Sequence, residues 1–126
     1  MLGHGNYAYT PLEYWGNFPD DITLGDVAGI AVDAKDNVYL FNRGEHPVVV
    51  LSQHGDVLRT WGHGIFKNPH GASIGPDQCI YLTDNFDHTV RKFSQTGELL
   101  MEIGTPDISS GFMSGKPFCK CTHCAI

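Results

Sequence analysis

The chain has 126 residues, of which 41% are hydrophobic and 17% are charged, a composition typical of a globular protein rather than a disordered one. Eight Lys and Arg against fourteen Asp and Glu give a formal net charge of −6. The basic residues form no stripe, so no nucleic-acid partner is expected. The longest apolar run, Pro47 to Leu51, is too short to span a bilayer, so no membrane association is expected either.

The first 24 residues are interpreted as a lead-in, strand-like over Tyr9 to Phe18, ahead of the first repeat. In closed rings of sheets such a segment often completes the last sheet. The residues from Met1 to Asn6 contain neither a basic region nor an apolar stretch, so we expect no signal peptide here. A cytoplasmic protein and a processed mature protein both fit this start, with some preference for the cytoplasm.

An internal repeat dominates the rest of the chain. Gly29 falls on Gly71 at an offset of 42 positions, and the register then holds without a gap as far as Gly62 on Gly104. Further pairs in this register are Val32 with Ile74, Tyr39 with Tyr81, Leu40 with Leu82, His46 with His88, Val48 with Val90, and Gly55 with Gly97. Each copy divides into four strand-sized pieces separated by turn residues, and no window shows a helical period.

A repeat of this length with four strands is typical of one blade of a β-propeller. The predicted fold is therefore all-β, with blade 1 over residues 25–62 and blade 2 over residues 63–104. Residues 105–126 are predicted to hold an insertion and then the first strand of a third blade, over Cys121 to Ile126. Because propellers close with about four to eight blades, this chain is expected to need further blades, or other copies of itself, to close a ring.

The repeat resembles that of the NHL family of propellers over residues 25–126. The matching pattern is Gly-x-x-x-Asp-x-x-x-x-hydrophobic-Tyr, which the first copy fills with Gly29, Asp33, Val38 and Tyr39. Within that family the chain is similar to the peptidyl-α-hydroxyglycine α-amidating lyases (peptidylamidoglycolate lyases). Three segments carry this likeness: Leu24 to Asp33 leading to Phe41 to His46, Leu58 to Gly71, and Phe118 to Thr122.

The resemblance implies a six-bladed ring with a zinc ion in its central channel, held by three histidines from different blades. His70 matches one of these ligands. Arg43 matches an arginine that binds the substrate carboxylate and stabilises a tyrosinate base. Ile30 and Ala72 match positions whose backbone carbonyls hold a structural calcium. The other two histidines, the tyrosine and a second arginine would follow Ile126, so this piece is expected to be inactive alone.

The implied reaction cleaves a small peptidyl- or acyl-α-hydroxyglycine substrate to an amide and glyoxylate. Zinc with three neutral imidazole ligands keeps an open position for substrate. An arginine such as Arg43 fits a carboxylate with two parallel hydrogen bonds. Alternative interpretations remain for both residues: His70 could simply bind a loop, and Arg43 could be a surface corner residue. The alternative function for the whole chain is that of a non-catalytic NHL propeller that binds a protein or another ligand.

Several other polar residues are predicted to be structural. His46 and His88 share one repeat position, and residues repeated in every blade are usually architectural. Asp33, Asp84 and Asp87 are predicted to tie turns. Cys79 is expected to be a buried free thiol.

The cluster of Cys119, Cys121 and Cys124 lacks the second ligand pair of a structural zinc site, so metal binding there is disfavoured. The resemblance implies that Cys119 pairs with a cysteine beyond this chain, and Cys121 stands where the family commonly has proline.

Overall fold

A computed structural model describes residues 2–126 and shows ten β-strands. They are β1 (Leu2–His4), β2 (Tyr7–Tyr9), β3 (Val27–Val32), β4 (Val38–Asn42), β5 (Val48–Leu51), β6 (Val57–Trp61), β7 (Pro69–Ile74), β8 (Ile80–Asp84), β9 (Thr89–Phe93) and β10 (Leu99–Ile103). The first two pair as a small hairpin. Strands β3 to β6 form one four-stranded antiparallel meander, and β7 to β10 form a second. The all-β prediction is confirmed, with one four-stranded sheet for each copy of the repeat.

The turns between strands follow from local side-chain chemistry. The Asp33 carboxylate accepts the backbone N–H groups of Lys35 and Asn37 at 2.8 and 2.9 Å, which closes the turn between β3 and β4. Asp36 and Gln78 occupy the same repeat position, and both adopt a left-handed backbone with φ near 60°. The prediction that Asp33 ties a turn is confirmed.

The two sheets pack face to face through a shared apolar core. Tyr39, Phe41, Val48 and Val50 of the first sheet contact a matching row in the second. That row consists of Ala72, Ile80, Leu82 and Phe93. Phe66, from the connection between the sheets, lies between them, with its ring 4.8 Å from that of Phe41 and 5.8 Å from that of Phe93. The core therefore lies between consecutive blades, as expected for a propeller.

The innermost strands of the two sheets, β3 and β7, lie close together at Gly29. A methyl group at Gly29 would lie 2.8 Å from the backbone nitrogen of Ala72, which is closer than real carbon contacts. Only glycine permits this approach. Gly71, one repeat later, lies equally close to the C-terminal residues, with the Thr122 carbonyl oxygen 2.5 Å from where a methyl group would be. Close packing of neighbouring segments thus explains why glycine recurs at this position.

The lead-in differs from the predicted strand. Tyr9 ends β2, and residues 10–24 run irregularly across the free face of the first sheet, with an isolated bridge between Asn17 and Asp56. Trp15, Phe18, Ile22 and Leu24 pack there against Leu40, Val49 and Leu51. Burial of these large side chains, rather than a hydrogen-bonded ladder, holds the segment in place.

Residues 121–126 run beside β7 without pairing as a strand. The Ser73 hydroxyl donates to the Cys124 carbonyl at 2.7 Å, which fixes the segment against the inner edge of blade 2. A strand needs a neighbouring ladder, and the described residues offer none on the far side, so the predicted first strand of a third blade appears here as an extended tail. Within residues 2–126 there is no helix of the length and apolarity needed to cross a membrane.

Candidate functional site

An open cleft of about 330 Å³ lies where β3, β7 and the C-terminal residues meet. Its lining is Ala28, Gly29, Ile30, His70, Gly71, Ala72, Thr122 and His123. Three of the residues singled out from the sequence, His70, Ile30 and Ala72, are thus brought to one place. All three lie on the innermost strands, whose close approach forms the floor of the cleft.

His70 occupies a β-bulge. In the pairing of β7 with β8, Pro69 lies opposite Asp84 and Gly71 lies opposite Thr83, so His70 is the extra residue between them. The first blade has the same irregularity between Val27 and Gly29. Bulges re-aim a side chain relative to the regular pleat and are frequent beside active sites. The half-buried imidazole of His70 lines the cleft as a result.

The two ring nitrogens of His70 have different surroundings. Nδ1 lies 2.9 Å from the carbonyl oxygen of Thr122. Since a carbonyl only accepts, Nδ1 carries the proton in this contact. Among residues 2–126 no hydrogen-bond partner is found for Nε2. Metal-binding histidines characteristically donate their other N–H to a carbonyl or carboxylate, so His70 fits as one ligand of a zinc ion.

Arg43 contacts the residue before this histidine and is not among the residues that line the cleft. Its Nε donates to the carbonyl oxygen of Pro69 at 3.2 Å, across the boundary between the blades. A longer ion pair of 3.7 Å joins its Nη1 to the exposed carboxylate of Asp26. Nε therefore holds the start of β7 and Nη1 faces the Asp26 carboxylate, while Nη2 has no hydrogen-bond partner among residues 2–126.

Ile30 and Ala72, the two positions proposed for calcium, are exactly one repeat apart and line the same cleft. Backbone carbonyl oxygens are ligands that calcium accepts. Within residues 2–126 no three His, Cys, Asp or Glu side chains lie close enough together to hold a metal ion. The described side chains therefore form no complete metal site by themselves.

His123 lines the cleft opposite His70 and was not singled out as a site residue by the sequence. Its Nε2 lies 3.4 Å from the hydroxyl of Ser73. An offset of 52 positions aligns Thr122 with His70 and His123 with Gly71. That alignment was the signal that could have identified His123, because it places the residue at the start of an inner strand.

Two buried acidic residues, Asp84 and Asp87, fix the segments next to β7 and β9. Asp84 accepts the backbone N–H of Lys67 at 2.5 Å and that of Asn68 at 3.1 Å, and it also accepts from Phe86 and Asp87 at 3.0 Å. Asp87 pairs with the guanidinium of Arg91 at 2.5 Å. Burial lowers the pKa of Arg91, but its bonds to Glu102 and Asp87 outweigh this and raise it. The predicted structural role of Asp84 is confirmed.

His88 adopts a left-handed backbone with φ of 62°, and its Nδ1 accepts the N–H of Lys120 at 3.0 Å. It thereby ties the C-terminal residues to blade 2, as expected of an architectural residue. His46 contributes its carbonyl oxygen, which accepts from the Asn42 side chain at 2.7 Å. Neither imidazole lines the cleft that contains His70.

The four cysteines are all free. Cys79, expected to be buried, is half-buried, and Cys119 is exposed. The thiol of Cys121 lies 3.3 Å from the carbonyl oxygen of Thr89 and 3.6 Å from that of Asp84. Burial raises the pKa of Cys121 to about 11. The protonated thiol therefore acts as a hydrogen-bond donor at neutral pH.

Two four-stranded meanders packed face to face, with an open cleft along their innermost strands, define part of a β-propeller. No known family profile matches the chain. Human NHL repeat-containing protein 3 is 34% identical over 102 residues, covering 73% of this chain and 29% of that protein. Peptidyl-alpha-hydroxyglycine alpha-amidating lyase 1 of Drosophila melanogaster is 27% identical over 136 aligned positions, covering 85% of this chain and 24% of that enzyme.

A solved structure of virginiamycin B lyase from Staphylococcus aureus superposes with a TM-score of 0.51 at 16% identity. It covers 62% of this chain and 27% of the bacterial chain, and it supports the fold alone. The homologues of this chain include an NHL repeat-containing protein and an amidating lyase, so the predicted resemblance is confirmed. The chain spans about a quarter to a third of the length of these relatives.

Proposed function

We propose that this chain forms part of a zinc-dependent lyase that cleaves peptidyl-α-hydroxyglycine to a peptide amide and glyoxylate. The observation that carries the proposal is the position of His70 and the hydrogen bonding of its two ring nitrogens. It sits on a bulge in the cleft, its Nδ1 is held by the Thr122 carbonyl, and its Nε2 has no partner among residues 2–126. The Drosophila relative named as an amidating lyase supports the same reaction class.

In this proposal His70 supplies one zinc ligand, through Nε2. When bound, zinc would act as a Lewis acid that makes the substrate hydroxyl more acidic. In the same proposal Arg43 exchanges its long contact with Asp26 for the substrate carboxylate and keeps its bond to Pro69, which holds the α-hydroxyglycine end near His70. Structural calcium is held in part by the carbonyls of Ile30 and Ala72.

The remaining zinc ligands and the base are proposed to come from parts of the ring outside these residues. A single histidine does not hold a catalytic zinc, which needs about three protein ligands. The chain by itself is therefore expected to release no glyoxylate. The ring that contains it is expected to do so.

The test measures glyoxylate release from an acyl-α-hydroxyglycine by the polypeptide that carries these residues in a closed ring. Chelation and His70→Ala should each abolish turnover, whereas His54→Ala, an exposed loop histidine, should leave it unchanged. Arg43→Lys should mainly raise KM, because lysine keeps the charge but lacks the bidentate fork. Turnover that persists in His70→Ala would remove this histidine from the site.

A second candidate is a non-catalytic propeller that binds a protein or another ligand. The higher identity to human NHL repeat-containing protein 3, 34% against 27% for the fly lyase, favours it. Absence of zinc by elemental analysis, together with no glyoxylate release, would support this candidate over the lyase.

A further inference from the structure

We infer that residues 120–124, called here the tail segment, act as a positioning element that fixes the tautomer of His70. The Thr122 carbonyl, 2.9 Å from Nδ1, holds the ring as the Nδ1–H form and leaves the Nε2 lone pair free. This deepens the proposed function, because it concerns the histidine that would bind zinc. It is nevertheless a property of the metal-free chain.

The tail segment is held on both sides of Thr122. Before it, the backbone N–H of Lys120 donates to the ring of His88 at 3.0 Å, and the Cys121 thiol contacts the Thr89 carbonyl at 3.3 Å. After it, the Cys124 carbonyl accepts from Ser73 at 2.7 Å. The Thr122 carbonyl is thus fixed by its neighbours and does not depend on its own exposed side chain.

Gly71 allows the tail segment to lie close against β7. A methyl group there would lie 2.5 Å from the Thr122 carbonyl oxygen and 2.9 Å from the Cα of His123. Any side chain at position 71 would therefore push the tail segment away from β7, and with it the acceptor for His70. Glycine is required here for space, since its φ is not among the positive values.

The tautomer of His70 decides which ring nitrogen can bind a metal ion or accept a hydrogen bond. In a neutral histidine one nitrogen carries the proton and the other presents a lone pair, and the hydrogen bond made by one nitrogen sets the role of the other. Without the Thr122 carbonyl either nitrogen can carry the proton. With it, the lone pair lies on Nε2, the nitrogen that has no partner among the described residues.

The experiment is side-chain ¹⁵N NMR of the metal-free chain, at a pH where the imidazole is neutral. Wild-type His70 is expected to show one dominant Nδ1–H signature. Gly71→Ala should reduce that population to roughly half or less, because the acceptor is displaced. Gly111→Ala is the matched control, since a methyl group there would meet nothing closer than 3.9 Å.

A second pair of variants covers the case in which Gly71→Ala fails to fold. Cys121→Ala removes the thiol anchor and should also lower the Nδ1–H population. Cys119→Ala, at an exposed thiol with no anchoring bond among residues 2–126, should not. Unchanged backbone amide signals from blade 1 would show that the fold persists.

An Nε2–H signature in the wild-type chain would overturn the inference, whatever the enzyme activity. An unchanged Nδ1–H population in both Gly71→Ala and Cys121→Ala would also overturn it. The proposed function fails separately, through absence of zinc-dependent glyoxylate release, and that result would leave the tautomer assignment standing.

Discussion

Asn42 and Asp84, one repeat apart, hold the same joint in successive blades. The Asn42 side-chain oxygen accepts the backbone N–H groups of Gly25 and Gly44 at 3.0 and 2.8 Å. Asp84 accepts those of Lys67 and Phe86, the residues 42 positions further along, and two more besides. Each side chain ties the segment entering its blade to the corner between the second and third strands.

These hydrogen bonds predict how much stability is lost when the Asp84 carboxylate is removed. Asp84→Ala should lower the free energy of unfolding by about 3 kcal/mol, because the backbone N–H groups of Lys67, Asn68, Phe86 and Asp87 all lose their acceptor. Asp84→Asn keeps one oxygen and should cost about 1 kcal/mol. Urea denaturation of each variant measures the difference, with exposed Asp20→Ala as the control. Equal losses for Asn and Ala would show that the hydrogen bonds are not the cause.

The core between the blades predicts a large effect at Phe41, which is fully buried against Phe66. Phe41→Ala should cost about 3–5 kcal/mol through lost burial and a cavity. Phe112, 95% exposed, provides a matched control, and Phe112→Ala should change stability by less than about 0.5 kcal/mol. A comparable loss in the two variants would contradict the assignment of the core to this interface.

Acid should weaken the fold in part through Asp33. Burial raises the pKa of its carboxyl, but hydrogen bonds from Asn37, Lys35 and Tyr39 outweigh this, so the pKa lies below its usual value. The stabilisation is therefore fully present above about pH 4 and is lost as the pH falls through the folded-state value. In Asp33→Asn the urea midpoint should fall less steeply in this window than in wild type. Parallel curves would exclude Asp33 as a contributor.

Thiol chemistry should distinguish the cysteines. At pH 7.5 only about one Cys121 side chain in 3,000 is thiolate when its pKa is raised to about 11, and the group is half-buried. Iodoacetamide should therefore modify exposed Cys119 much faster than Cys121, as measured by peptide mass mapping. In guanidinium the two rates should converge. Equal rates in the native chain would show that the tail segment is not seated on blade 2.

Much of the fold is predictable because it is local and repeated. The recurrence of Gly29 at Gly71 and of Tyr39 at Tyr81 identifies the four-strand unit, and turn residues such as Asp33 act on their own neighbours. His70 and Arg43 are singled out through resemblance, and in the structure Arg43 bonds to the carbonyl of Pro69, the residue before His70.

The lead-in and the tail could not be predicted in the same way. Trp15 and Phe18 look like strand residues, but their positions are decided by the sheet face formed by Leu40, Val49 and Leu51, on which they pack. The contact between Thr122 and His70 is made by a backbone carbonyl, to which no side-chain pattern points. Both features depend on tertiary packing rather than on local sequence.

The bulge at positions 28 and 70 places one variable side chain at the same point of the innermost strand in each blade. Duplication of a blade copies the backbone kink and the direction in which its side chain leaves the strand. The side chain at this position differs between the copies. It is alanine in the first blade, histidine in the second, and threonine at the aligned position, Thr122, of the C-terminal residues. Substitution at this one position per repeat changes the side chain that the innermost strand presents and leaves the strands that support it in place.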